Sequence, residues 1–490
     1  MIQNEVFYEK QSKKNDMNRG GKTMTITGLR RITLLGITAA FLGCGGGGSD
    51  APVTPAPDPP PPPTAAMWFE NPTLLFEDET GGPSDSGLFN INDDRVLQWA
   101  IADLTGDGLD DVIATFPGYD SADGVRNARP IRIFAQAGDA TLTEVTSSLI
   151  VGQIPATEFT RHIITADFNG DGLADIFLLN HGLELPTSDP GADWHEPDVL
   201  LLSNVDGNYE DKSVNIPGLN DYYSHGGAVG DIDGDSDVDI LVNVNNWPPV
   251  GIVVYVNDGT GNFTLGADLI PMWDYWGLVA PVTGDLWIEL LDADGDGDLD
   301  LFIAGNVPAK HYVAINDGTG RFNVQSPVSL PDPIWPFIEG ALVSDLDGDG
   351  LDDLVLVNTD TSAEPWDHQL QILMSAGDGS FGDETTTRLP SPAGETTNPH
   401  IVEADLNGDG LSEILNVIGQ SSTSVVDFYA NDGMGVFTRI GPGFLDELPH
   451  SYTPIDLDND GDIDFVASGW VESLGVSGFV VYEALTKPDF

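Results

Sequence analysis

Positive charge is scarce in this sequence: 18 lysines and arginines stand against 79 aspartates and glutamates, a formal net charge of −61. Seven of the bases (Lys10, Lys13, Lys14, Arg19, Lys22, Arg30 and Arg31) precede residue 66, so the remainder is more acidic still. A surface of that sign repels phosphate backbones and anionic headgroups, which excludes nucleic acid and membrane surfaces as general partners. Cysteine is nearly absent, and a lone Cys44 excludes any intrachain disulfide. No helical period runs through the chain beyond residue 66. Nucleophile elbows, phosphate-binding glycine loops and zinc-ligand spacings are also missing.

The early bases have a use. Arg30-Arg31 precede an apolar run from Ile32 to Leu42 and then Gly43-Cys44. The run is too short for a membrane span, and the order of charge, apolar stretch and small residue predicts a signal peptide over 1–43. Met17 and Met24 are alternative starts. Cysteine directly after the cut resembles a bacterial lipoprotein signal, with Cys44 as the lipidated residue and Phe41 as a departure from the usual pattern. This implies a membrane contact through the lipid anchor only, and a place in the bacterial envelope or on the cell surface. Residues 44–66 continue as glycines and then five consecutive prolines, Pro59 to Pro63, which cannot pack a core and read as a spacer. The folded domain is expected over 67–490.

What the chain has in abundance is one acidic loop. In Asp345-Leu346-Asp347-Gly348-Asp349-Gly350-Leu351-Asp352-Asp353, side-chain oxygens stand at the first, third, fifth and ninth places, around a glycine turn. Alternating oxygen ligands over a sharp turn suit a hard cation such as calcium, with the carbonyl at the seventh place completing the set. The loop recurs from Asp103, Asp167, Asp231, Asp292, Asp345, Asp405 and Asp456, separated by 64, 64, 61, 53, 60 and 51 residues. Self-similarity at a near-fixed period marks a repeat architecture. An EF-hand does not fit. It needs an acid at the twelfth place, where this chain has Ala114, Leu178, Val242, Ile303, Leu356, Asn416 and Ala467.

Around each loop the pattern is extended run, loop, apolar run, third run, then a hairpin such as Asn257-Asp258-Gly259 or Asn316-Asp317-Gly318. That is a four-stranded meander, A to D. Seven such units predict an all-β, seven-bladed β-propeller of antiparallel blades. The seventh repeat stops after strand C, Phe479 to Tyr482. Phe76-Glu77-Asp78-Glu79-Thr80 matches the strand D sequence Phe381-Gly382-Asp383-Glu384-Thr385 in four of five places, so an N-terminal strand is expected to close the ring.

These loops and meanders resemble the calcium-binding FG-GAP/VCBS repeat family, whose propeller also forms the head of the integrin α subunit. The resemblance covers roughly residues 70–490. The Phe-Gly and Gly-Ala-Pro landmarks of the integrin version are missing, so integrin-like ligand choice is not implied. It implies up to seven calcium ions in the A–B loops. Their ligands would be Asp103, Thr105, Asp107, Leu109 and Asp111; Asp167, Asn169, Asp171, Leu173 and Asp175; and Asp231, Asp233, Asp235, Asp237 and Asp239. The same places continue as Asp292, Asp294, Asp296, Asp298 and Asp300; Asp345, Asp347, Asp349, Leu351 and Asp353; Asp405, Asn407, Asp409, Leu411 and Glu413; and Asp456, Asp458, Asp460, Asp462 and Asp464. Ser236 in place of glycine, neutral Thr105 and the longer Glu413 are departures expected to weaken their loops.

Strand direction puts the A–B loops and C–D hairpins on one face and the B–C and D–A loops on the other. The second face collects the histidines and nearly all tryptophans, with Arg126, Arg129, Arg161, His162, His181, Trp194, His195, Trp273 and Trp276 as candidate ligand-binding residues. Indoles stack on sugar rings, and arginines bind carboxylate or sulfate; the alternatives are gap-filling tryptophans and internal salt bridges. The expected function is a calcium-stabilised surface propeller binding carbohydrate or a protein partner. The other reading is a polysaccharide lyase or hydrolase acting on an acidic glycan, with histidine as base.

Overall fold

A computed structural model describes residues 73–77 and most of 98–482; connecting segments such as 183–195, 271–286 and 441–450 fall outside the description. The signal segment, Cys44, the spacer, Trp194, His195, Trp273 and Trp276 therefore lie outside the described residues.

Each repeat folds as expected, into a sheet in sequence order. Blade one orders Gln98–Ala102, Asp111–Thr115, Arg132–Gln136 and Leu142–Glu144. Blade three orders Ser224–Gly230, Asp239–Val244, Gly251–Asn257 and Phe263–Leu265. The inner strands A are neighbours in sequence order, from Gln98–Ala102 through Thr160–Ala166, Ser224–Gly230, Trp287–Leu291, Phe337–Ser344 and Thr397–Ala404 to Ser451–Ile455. The ring shuts between blades seven and one, where the Trp99 indole N–H donates to Thr453 Oγ1 at 2.9 Å.

Strands B are apolar without alternation because both faces of a blade are covered. In Asp175–Asn180, Ile176 and Leu178 pack with Ile113 and Ile133 of blade one. Phe177 and Leu179 pack with Ile240 and Val242 of blade three. The core is thus a set of layers between blades, and each fully buried Leu, Ile or Phe contributes about 1.5–3 kcal/mol.

The N-terminal strand completes blade seven, in the order Thr73–Glu77, Val476–Tyr482, Asp464–Val471, Ser451–Ile455. It pairs Leu74 with Val480 and Phe76 with Phe479. It begins three residues before the expected Phe76, with the apolar run Leu74-Leu75-Phe76 followed by Glu77 in the sheet. A second difference is local helix. Single turns at Thr146–Leu149 and Thr385–Arg388 and a 3-10 turn at Ser213–Asn215 follow strands D. Thr146 Oγ1 and Thr385 Oγ1 accept the N–H of Ile133 and Ile372 at 2.8 and 3.0 Å, replacing the ladder bonds that the turn removes. After its turn, blade one lends Ile150–Val151 as a parallel fifth strand to blade two.

Deleting residues 67–81 removes the closing strand and bares the edge of Val476–Tyr482. We expect aggregation or loss of cooperative unfolding in calorimetry, while deletion of 45–65 leaves the transition unchanged. Equal melting of the two truncations would contradict this closure.

Candidate functional site

The acidic loops share one geometry. Backbone at places four and six is left-handed: Gly348 and Gly350 have φ of 74° and 87°, and Ser236 and Asn459 adopt 76° and 58°. Two residues with side chains hold a conformation that costs about 1–2 kcal/mol outside glycine. The first-place carboxylate compels it: Asp345 accepts the N–H of Gly348 at 2.8 Å and of Gly350 at 2.9 Å, and Asp231 accepts that of Ser236 at 2.9 Å. Loop three therefore keeps the shape of the others despite its serine. The fifth-place acid accepts the seventh-place N–H, as Asp349 does from Leu351 at 3.0 Å.

The third-place acids behave differently. Asp233, Asp294 and Asp347 each turn one buried oxygen inward with no hydrogen-bond donor on it among the described residues. Burial and the neighbouring acids Asp235 and Asp231 raise Asp233; burial, Asp296 and Asp292 raise Asp294. Ligand atoms of Asp231, Asp233 and Asp239 lie within 4.8 Å of one another, as do those of Asp292, Asp294 and Asp300, of Asp345, Asp347 and Asp353, and of Asp456, Asp458 and Asp460. A donor-free carboxylate oxygen among converging acids, beside others that accept backbone N–H groups, fits a divalent cation with an oxygen preference, although Arg388 also pairs with the second oxygen of Asp347 at 3.1 Å.

The ninth-place acid does something the sequence did not disclose. In every loop it is buried and accepts the second-place N–H, from Leu104 to Asp111 at 2.9 Å through Leu457 to Asp464 at 2.7 Å. In blades one to five its other oxygen accepts a strand C N–H, from Gln136, Ser203, Asn257, Asn316 and Ser375, at 2.6–2.9 Å. Glu413, one methylene longer, leaves that oxygen without a partner among the described residues. The second-place side chains, Leu104 to Leu457, are buried apolar plugs.

The second-place carbonyl then joins blade to blade. Asn257 Nδ2 donates to Phe168 O of blade two at 2.8 Å and Asn316 Nδ2 to Ile232 O of blade three at 2.7 Å. Asn431 Nδ2 reaches Leu346 O at 2.9 Å, and the Tyr209 hydroxyl reaches Leu104 O at 3.0 Å. Residues that read as hairpin formers thus clasp the preceding blade.

On the opposite face, blades two and three bring Arg161 and His181 together through His225, which the sequence reading left outside the cluster. Arg161 Nη2 lies 3.1 Å from His225 Nδ1, and the His181 and His225 rings meet edge-on at 4.8 Å. Burial, with Arg161 and His181 beside it, holds His225 far below its usual range. Arg129 belongs to a short strand paired with Ala156–Thr157, just before Arg161; Val125–Arg126 forms half of another short ribbon. His162 leaves this group, facing the ring centre, where water reaches it although protein surrounds it; that setting lowers it to about 4. His311 and His368, read at the rim, are instead buried within strands C.

Four stretches, residues 103–178, 292–356, 345–416 and 405–467, match the FG-GAP-like repeat family, together just over half of the chain. No curated protein matches. A solved structure titled for specific recognition of non-reducing terminal N-acetylglucosamine by an Agrocybe aegerita lectin is similar at 18% identity and a TM-score of 0.48, over 74% of this chain and 88% of that one. A Photorhabdus luminescens Tc holotoxin pore structure is similar at 19% identity and a TM-score of 0.36, over 78% of this chain and 16% of that one.

Behind the Arg161 group lies Asp198, which accepts the Asn180 N–H and the Ser224 hydroxyl, both at 2.7 Å. Burial pushes it up to about 8. The folded protein then keeps a proton that the unfolded chain releases above the ordinary carboxyl range, so this contribution to stability is full in acid and lost as pH rises toward 8. Asp198→Asn keeps an acceptor for Asn180 and gives Ser224 a donor. We expect it to make the loss of stability between about pH 5 and 8.5 shallower than in the parent protein, and to be more stable at the upper end by about 1–3 kcal/mol. An unchanged slope would show that Asp198 does not set it.

Proposed function

Since the chain belongs to the FG-GAP-like repeat family, we propose that it is a calcium-clamped propeller that binds a carbohydrate or protein partner on the face opposite its acidic loops. The observation that carries the reading is the recurring donor-free oxygen of Asp233, Asp294 and Asp347. Carboxylates at places one, three and five, with the ninth-place acid and the seventh-place carbonyl, would hold the ion. When bound, calcium supplies the positive charge that offsets repulsion of about 1–4 kcal/mol per close carboxylate pair at surface-like dielectric. The chain's own part is to hold the loop open to the ion through the first-place Asx turns and to transmit its order through the second-place carbonyl to the next blade. The acidic face is fixed by these demands. The opposite face is free to specialise, and it carries Arg161 and the exposed Trp287, with His181 buried beneath it.

Excess chelator should lower the melting temperature and calcium restore it, each occupied site contributing about 2.7 kcal/mol at a hundredfold excess over Kd. Asp347→Ala should lose more stability than Thr105→Ala in calcium, and the gap should narrow in chelator. A melting curve indifferent to chelator would rule out the clamp.

For the ligand face, a glycan array probed with and without calcium gives the direct test. Arg161→Ala should weaken binding of carboxylated or sulfated glycans by about 1 kcal/mol or more with little change in melting temperature. Binding lost instead through folded variants of the acidic loops would place recognition on the other face.

A further inference from the structure

At the ring centre the inner strands of blades two, three and four line an open-mouthed cavity of about 280 Å³, with His162, Ile164, Ala228, Val229, Glu289 and Leu290 among its walls. Strand A of blade three, Ser224–Gly230, passes along it with Gly227, Ala228 and Val229. Gly227 packs too closely for a side chain, since a Cβ there would meet Leu241 O at 2.7 Å.

We propose that this cavity is a binding site for a small organic cation, an ammonium group on a compact apolar body. The wall chemistry is one carboxylate, one imidazole and aliphatic side chains. One oxygen of Glu289, Oε1, accepts the Trp287 indole N–H at 2.7 Å, and no cation pairs with this carboxylate among the described residues. Burial pushes Glu289 up to about 7, while His162, lowered to about 4, is uncharged and does not compete for the carboxylate. An entering ammonium supplies the missing counter-charge, and Ile164, Val229 and Leu290 cover its body. An engineered cavity of about 150 Å³ holds benzene, so the volume here suits roughly seven to twelve heavy atoms. The site is distinct from the Arg161 group, and it uses none of the acidic loops.

The test is isothermal titration of the full chain in calcium at about pH 8, where an alkylamine is protonated and Glu289 is largely ionised. Cyclohexylamine is the probe and cyclohexanol its uncharged counterpart of the same shape. We expect saturable binding of the amine, at least about tenfold tighter than the alcohol. Glu289→Gln, which keeps an acceptor for Trp287, should remove that preference. Glu403→Gln, another buried inner-strand carboxyl but on blade six, should leave it intact. The proposal is overturned by equal binding of amine and alcohol, by absence of saturation at about 50 mM amine, by wild-type affinity in a folded Glu289→Gln, or by equal loss in Glu403→Gln. The amine–alcohol comparison is made on the unaltered protein and so stands even where a variant fails to fold.

Discussion

A carboxylate buried at the ninth place of each acidic loop ties the blade together. In blades one to five its two oxygens accept N–H groups from two directions, one from the loop and one from strand C, so a single side chain fixes the turn, strand B and strand C relative to one another. Only an acid serves, because a carboxylate is acceptor-only; an amide would point its own donors at one of the two N–H groups. The cost is visible in acidity: burial raises Asp239 and Asp300 to about 7 and Asp175 and Asp353 to about 6. Backbone hydrogen bonds offset part of it, and an ion held by the same loop would favour the charged form further.

From that anchor the second-place residue becomes a junction. Its N–H is held by the ninth-place acid, its side chain plugs the layer between blades, and its carbonyl receives the clasp of the following blade. The leucines at place seven add to the same seam: Leu173 covers Gly106 of blade one so closely that a Cβ there would lie 2.7 Å from it. Acidic loop and blade interface are therefore one mechanical unit, and order gained in the loop is order gained between blades.

Much of this was legible in the sequence because the information was local. Alternating acids, glycines at the turns and apolar runs of strand length report their own geometry within ten or so residues, and the count of repeats then leaves few architectures. The N-terminal closure was legible through likeness of Phe76-Glu77-Asp78 to a strand D, though the register was set by Leu74-Leu75-Phe76 instead. What stayed hidden were contacts across long separations. Asn257 and Asn316 read as hairpin residues because nothing local reveals carbonyls 89 and 84 residues away. His225 gave no signal of its own, since its role depends on Arg161 standing beside it in the next blade. His311 and His368 sit at strand ends by sequence count, and only the layer packing shows that those ends are covered.

The closing strand has a consequence for how the chain is made. Thr73 pairs with Val481, so the two halves of blade seven lie about 400 residues apart in sequence. Blades one to six contain all their own strands and can form as they emerge, in order from the N-terminus. Blade seven cannot. Thr73–Glu77 emerges first of the described strands and waits unpaired until Val476–Tyr482 is complete. Throughout that interval the nascent chain carries one exposed strand at its leading end and a growing open arc behind it, and the ring is sealed only by its last strand. Placing the apolar residues of the waiting strand in a run as short as Leu74-Leu75-Phe76, with acids directly after it, keeps the unpaired segment charged and discourages premature pairing with other chains.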